Sequence, residues 1–131
     1  MQISEKDREQ LQEKSRQLVE AIHTENKHKL YQLCQLSVRE AMLKNSSEKT
    51  IREHLFLRFT YDPEYYQGEY SGIEIKANIS PVTAWTNIEL KNPFAIIGVH
   101  WIKEVSFMKP YVHGTWGYNP SSIHQFKKIE K

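Results

Sequence analysis

The sequence predicts an α+β fold, with two or three N-terminal helices packed on a curved antiparallel sheet of four or more strands. Three observations carry that expectation. All five glycines and all five prolines lie beyond residue 60, and both residue types punctuate turns. Every aromatic except Tyr31 lies from Phe56 onward, and aromatics favour strands. Within the second half, apolar and polar residues alternate, which is the period of a half-buried strand. Charge does not divide the same way: residues 1–60 carry eleven basic and nine acidic groups, residues 61–131 seven of each. The shift is therefore one of structure within a single domain, 1–131. It has a helical part (1–60), a sheet part (61–118) and a C-terminal tail (119–131).

The first helix is expected from about Ser4 to His23. Ser4 suits an N-cap, and the acidic residues after it suit the helix dipole. Its apolar stripe of Leu11, Leu18, Val19 and Ile22 is narrow, so one face packs and the rest is solvated. Thr24-Glu25-Asn26 breaks the chain, and a second helix follows as one run through Leu30, Leu33, Cys34, Val38 and Ala41. Asn45-Ser46-Ser47 ends it. Ile51, Leu55 and Phe59 then match a short third helix, while Leu55, Leu57, Phe59 and Tyr61 match a strand equally well.

Residues 62–72 read as a loop or irregular hairpin. Ile73, Ile75, Ala77 and Ile79 mark one strand, interrupted at Ser80-Pro81. In the next, Ala84, Thr86, Ile88 and Leu90 face one way and Thr83, Trp85, Asn87 and Glu89 the other. Lys91-Asn92-Pro93 is a turn, 95–108 a long strand, Lys109-Pro110 a second turn and 111–118 a last strand. Short turns between consecutive strands imply an antiparallel meander. The long strand is partly apolar on both faces. Ile97, Val99 and Trp101 lie on one face with Lys103 among them, and Ile96, His100 and Ile102 on the other, so both faces need cover.

Composition bounds function by exclusion. A net charge of +2 is no electrostatic footprint for nucleic acid. A lone Cys34 forms no internal disulfide and no Cys-based zinc cage. The six histidines show neither HExxH nor His-x-His spacing, so no metal site and no cofactor is expected. The start of the chain lacks a signal-peptide pattern and no apolar run approaches a membrane span. A cytoplasmic location is the expectation.

The order of elements over roughly residues 4–118 resembles the cone-shaped NTF2-like domain, in which helices close over a strongly bent sheet. The resemblance implies a pocket between helices and concave sheet, frequent dimerisation through the sheet's outer face, and either small-molecule chemistry or binding alone.

Read from the residues, the titratable pair of interest is His100 and Glu104, four apart on one strand face. That separates them by about 13 Å at the strand rise, too far for a dyad. Tyr61, Tyr65, Tyr66 and Tyr70, interleaved with Asp62, Glu64 and Glu69, suit a recognition loop or lid, since tyrosine offers rigid amphipathic contact area. Trp85, Trp101 and Trp116 fall on successive strands, with Trp101 and Trp116 nearly symmetric about Lys109-Pro110. An aromatic ladder of this kind forms a core, a dimer interface or a base-stacking platform, and the last needs more interleaved lysines than the chain has. The resulting expectation is a non-catalytic binding or assembly module. Its partner is another protein or a second copy, contacted through the tyrosine loop and outer sheet. The alternative is a small-molecule pocket protein, an isomerase, cyclase or hydrolase, with His100 and Glu104 in the cavity.

Overall fold

The structure, a computed structural model, describes residues 3–77, 82–104 and 115–126, with Ala77 and Glu104 described by backbone alone. Helix α1 (Glu5–His23) starts where the sequence predicts: the Ser4 hydroxyl accepts the Asp7 amide at 3.1 Å, and Glu5 and Asp7 occupy the first turn. Its buried residues include Leu11, Leu18, Val19 and Ile22, the narrow stripe expected. The Asn26 side chain accepts the Lys29 amide to open α2 (Lys27–Leu33).

The second helix is not one run. It breaks at Cys34-Gln35 and resumes as α3 (Leu36–Leu43). No Gly or Pro signals this break, because its cause lies far along the chain. Cys34 forms an isolated parallel bridge with Tyr118, and the Gln35 amide donates to the Tyr118 carbonyl at 2.9 Å. A Cβ at Gly117 would sit 2.6 Å from the Gln35 Cα, so only glycine lets the two backbones meet. Ser47 caps α4 (Glu48–Thr60), which buries Ile51, Leu55 and Phe59. Of the two patterns open for this segment, the helix is the one formed.

The sheet is an open antiparallel meander of β1 (Glu69–Ala77), β2 (Thr83–Lys91), β3 (Ala95–Glu104) and β4 (Thr115–Tyr118), with β5 (His124–Phe126) also on β3. Strand β1 starts at Glu69, so the loop expected over 62–72 is shorter than its sequence suggests. Asn92 takes a φ of 59° in the predicted 91–93 turn, a conformation Asn tolerates. The β3–β4 ladder pairs Trp101 with Tyr118 and Lys103 with Trp116. This register is symmetric about residues 109–110, as expected, yet it makes Trp101 and Trp116 diagonal neighbours instead of a direct pair. Residues 78–81 and 105–114, including the Ser80-Pro81 interruption and the Lys109-Pro110 turn, lie outside the described residues.

The presumed tail is partly sheet. After a short 3-10 turn at Pro120–Ser122, β5 pairs Ile96, Ile97 and Gly98 of β3. Strands β4 and β5 thus run in series along one edge of β3, like one strand with an excursion at 119–123. The helices cover the face bearing Ala84, Thr86, Ile88, Leu90, Ile97, Val99 and Trp101, all buried. That alternation is the one read from the sequence.

Candidate functional site

The space between helices and sheet is filled. Trp101, Trp116, Tyr118 and Phe59 are fully buried there, with Tyr118 edge-on to both Phe59 and Trp101 at centroid distances of 5.7 and 6.0 Å. Each polar tip has a partner, as burial demands. The Trp101 indole donates to the Thr86 hydroxyl at 2.9 Å, and that hydroxyl donates to the Val99 carbonyl. The Tyr118 hydroxyl donates to the Leu30 carbonyl at 2.7 Å, and burial pushes its pKa well up. The Trp116 indole donates to Asp7 of α1 at 3.1 Å.

Asp7 gathers several donors. Besides Trp116 it accepts the Lys103 ammonium at 3.1 and 3.3 Å and the Ser4 hydroxyl at 3.0 Å. Burial raises its pKa, but the hydrogen bonds from Trp116, Lys103 and Ser4 outweigh that and hold it below the usual carboxylate value. This explains the lysine on an apolar strand face: Lys103 stitches β3 to the first turn of α1. Trp101 and Trp116, read as binding candidates, therefore offer no surface to a partner.

Trp85 and His100 lie on the opposite, outer face. Their rings stack at 4.3 Å and 13°, and His124 of β5 lies 6.5 Å from Trp85. Partial burial lowers the His100 pKa. The His100 backbone is held by the 119–123 excursion: its amide donates to the Ser122 hydroxyl and its carbonyl accepts the Asn119 amide. Glu104 pairs with Thr115 at the end of the ladder, and its side chain lies outside the described residues. His100 thus faces away from the helices, and the rings beside it are those of Trp85 and, through Trp85, His124.

The tyrosine loop divides in the structure. Tyr65, Tyr66 and Tyr70 are half-buried. The Tyr70 hydroxyl points at the Gln12 carbonyl, 3.4 Å away, and the Tyr66 carbonyl meets the His23 ring at 2.8 Å. Gly68 seats the loop against the β2–β3 turn, where a Cβ would lie 2.3 Å from the Pro93 carbonyl. Tyr61, 86% exposed at the end of α4, is the most exposed of the four.

Tyr61 lines an open groove of about 500 Å³ between α4 and β5, with His54, Leu57, Arg58, Ile123 and Gln125. Gln125 is fixed by donating to the Phe59 carbonyl at 2.7 Å. Leu57 is 57% exposed beside the exposed Tyr61, so apolar surface is grouped here instead of scattered. Sequence reasoning singled out none of these residues except Tyr61. The signal was nevertheless present: Leu57 and Tyr61 are apolar residues that do not belong to the Ile51-Leu55-Phe59 stripe. They made the segment resemble a strand because α4 carries a second apolar strip.

Strand β5 joins the two surfaces. Its even residues, His124 and Phe126, pair with the outward-facing Gly98 and Ile96, while Gln125 and the preceding Ile123 turn into the groove. Cys34 is buried, and no group of three or more His, Cys, Asp or Glu placed to hold a metal occurs among the described residues. No helix among them is long and apolar enough to cross a membrane. Compared with known protein families, curated proteins and solved structures, the chain matches none.

Proposed function

We propose that the chain is a non-catalytic protein-binding module, acting as a homodimer, with its contact surface centred on β5. The observation that carries this reading is the distribution of apolar side chains. The interior is filled, while Leu57, Tyr61 and Phe126, three of the five strongly exposed large apolar residues among those described, flank β5. A partner laid over β5 would bury the α4 groove on one side and the Trp85–His100–His124 stack on the other. Aromatic anchors of that kind dominate interface energetics. Among the described residues β5 pairs only with β3, which leaves a strand edge available for pairing with a second chain.

The order of elements remains compatible with the NTF2-like resemblance, and an outer-face dimer is what that resemblance implies. Its small-molecule version has less support, because Trp101, Trp116 and Tyr118 occupy the space where an internal substrate would sit, and His100 faces the other way.

Sedimentation velocity across a concentration series tests the proposal. A dimer is expected, and Leu57→Glu and Trp85→Glu should each convert it to monomer without loss of helical signal. A wild-type chain that stays monomeric up to ~1 mM, where even a weak self-association is populated, overturns the homodimer.

A further inference from the structure

We propose that the groove between α4 and β5 binds a small monocarboxylate with an apolar body, held at its charged end by Arg58. The inference goes beyond the protein-binding reading and needs no second copy of the chain. The groove is one continuous space of about 500 Å³. His54, Leu57 and Arg58 of α4 and its C-cap Tyr61 line it, together with Ile123 and Gln125. That volume lies within the range of small-molecule pockets, about 300–1,000 Å³.

Residues 54, 57, 58 and 61 stand at i, i+3, i+4 and i+7, so they share one strip of the helix surface. Within it Leu57 and Tyr61 make an apolar row, and His54 and Arg58 make a nitrogen-bearing row beside it. A ligand lying along the groove meets both rows together. Ile123 adds apolar surface from the chain leading into β5. Gln125 is anchored to the Phe59 carbonyl, which ties that wall of the groove to α4.

The charge in the groove is unmatched. The ion pairs among the described residues join Arg16 with Glu13 and Glu20, Arg52 with Glu48, Lys76 with Glu74 and Lys103 with Asp7. They leave Arg58 aside. Asp62, the acid nearest to it in sequence, accepts the Glu64 amide and so caps the short turn at Pro63–Tyr65. Among the described residues no carboxylate lines the groove. Arg58 in the last turn of α4 complements the helix dipole, but that role needs no apolar row alongside. A guanidinium offers a planar fork of donors matched to a carboxylate, and the His54 ring supplies an N–H in either charge state. One cation balances one negative charge, which favours a monocarboxylate over a phosphate dianion. A purely polar anion would leave Leu57, Tyr61 and Ile123 with nothing to bury, so the ligand carries an aliphatic or aromatic body.

The test is a titration of the full chain with octanoate and, separately, with octanol, followed through backbone amides in proton–nitrogen correlation spectra. Octanoate should shift the amides lining the groove on one saturable isotherm, with a Kd of about 1 mM or tighter. Octanol has the same chain without the charge and should bind about tenfold more weakly, the loss of one charge-assisted contact. Arg58→Met keeps the alkyl stem. It should weaken octanoate by about the same factor and leave octanol unchanged. Lys49→Met, which borders a separate groove with Lys27, Arg52 and Glu53, should change neither. Leu57→Ser should weaken both. The same titration on Trp85→Glu separates this site from the homodimer: that variant should bind octanoate at least as tightly as wild type, whether or not wild type dimerises. Four results would each overturn the site: shifts that scatter or never saturate, octanol as tight as octanoate, Arg58→Met no weaker than Lys49→Met, and binding confined to wild type.

Discussion

The two faces of the sheet follow the same alternation and end in opposite conditions. On the inner face Trp101, Trp116 and Tyr118 are fully buried and each polar tip is bonded, to Thr86, Asp7 and Leu30 respectively. On the outer face Trp85 is half-exposed and is held by a ring stack with His100. Both faces carry tryptophan on adjacent strands, so residue type alone does not separate a structural aromatic from an interacting one. What separates them is cover: the helices bury Trp101 and its indole is bonded, whereas Trp85 on the other face keeps part of its surface exposed.

The sharpest break of this contrast is Trp101→Ala against Trp85→Ala. Chemical denaturation should show a loss of about 4 kcal/mol for Trp101, which leaves a large cavity and takes from the buried Thr86 hydroxyl the donor it accepts from. The loss for Trp85 should stay below about 1 kcal/mol. Comparable losses for the two would abolish the distinction.

Asp7→Ala comes next. It strands the Lys103 ammonium and the Trp116 indole without an acceptor, and should cost about 3 kcal/mol by the same measurement. The pH dependence has a definite sign. Because the folded pKa of Asp7 lies below its ordinary value, its contribution is complete above about pH 4. It is lost as pH falls through the folded value. Asp7→Asn should flatten that acid limb, as read from stability curves between neutral and strongly acid pH.

His100 gives a smaller effect at higher pH. Its folded pKa is lowered by burial, so folding favours the neutral ring. Stability is therefore complete above about pH 6.5 and declines as pH falls below it. His100→Asn should remove only this upper part of the decline, leaving the part due to Asp7. The smallest effect on stability belongs to Leu57→Ser and Tyr61→Ser, within about 0.5 kcal/mol of wild type. A larger loss would make the α4 groove part of the core.

Much of the architecture was legible because it is local. The Ser4 cap, the α1 stripe and the β2 alternation depend on neighbours in sequence, and each stands where the pattern places it. The misreadings share one physical origin: the deciding contact is distant. Nothing around Cys34 predicts a helix break, since Gly117 and Tyr118 impose it. Residues 119–126 look like a tail until β3 supplies an edge for them. The spacing of Trp101 and Trp116 suggests a cross-strand pair, and a two-residue offset makes them diagonal. For the candidate site, Tyr61 was legible by its type, whereas His54, Arg58 and Gln125 join it only through the packing of α4 beside β5.

The bond between Asp7 and Lys103 spans 96 residues, and that between Asp7 and Trp116 spans 109. Loops of that length close late, because their entropy is lost before the contact stabilises anything. The first turn of α1 is translated early but cannot find its partners until β3 and β4 exist. Asp7 therefore acts as a completion lock. Hydrogen exchange along α1 should accordingly show its N-terminal turn opening together with the β3–β4 ladder, not with the rest of the helix.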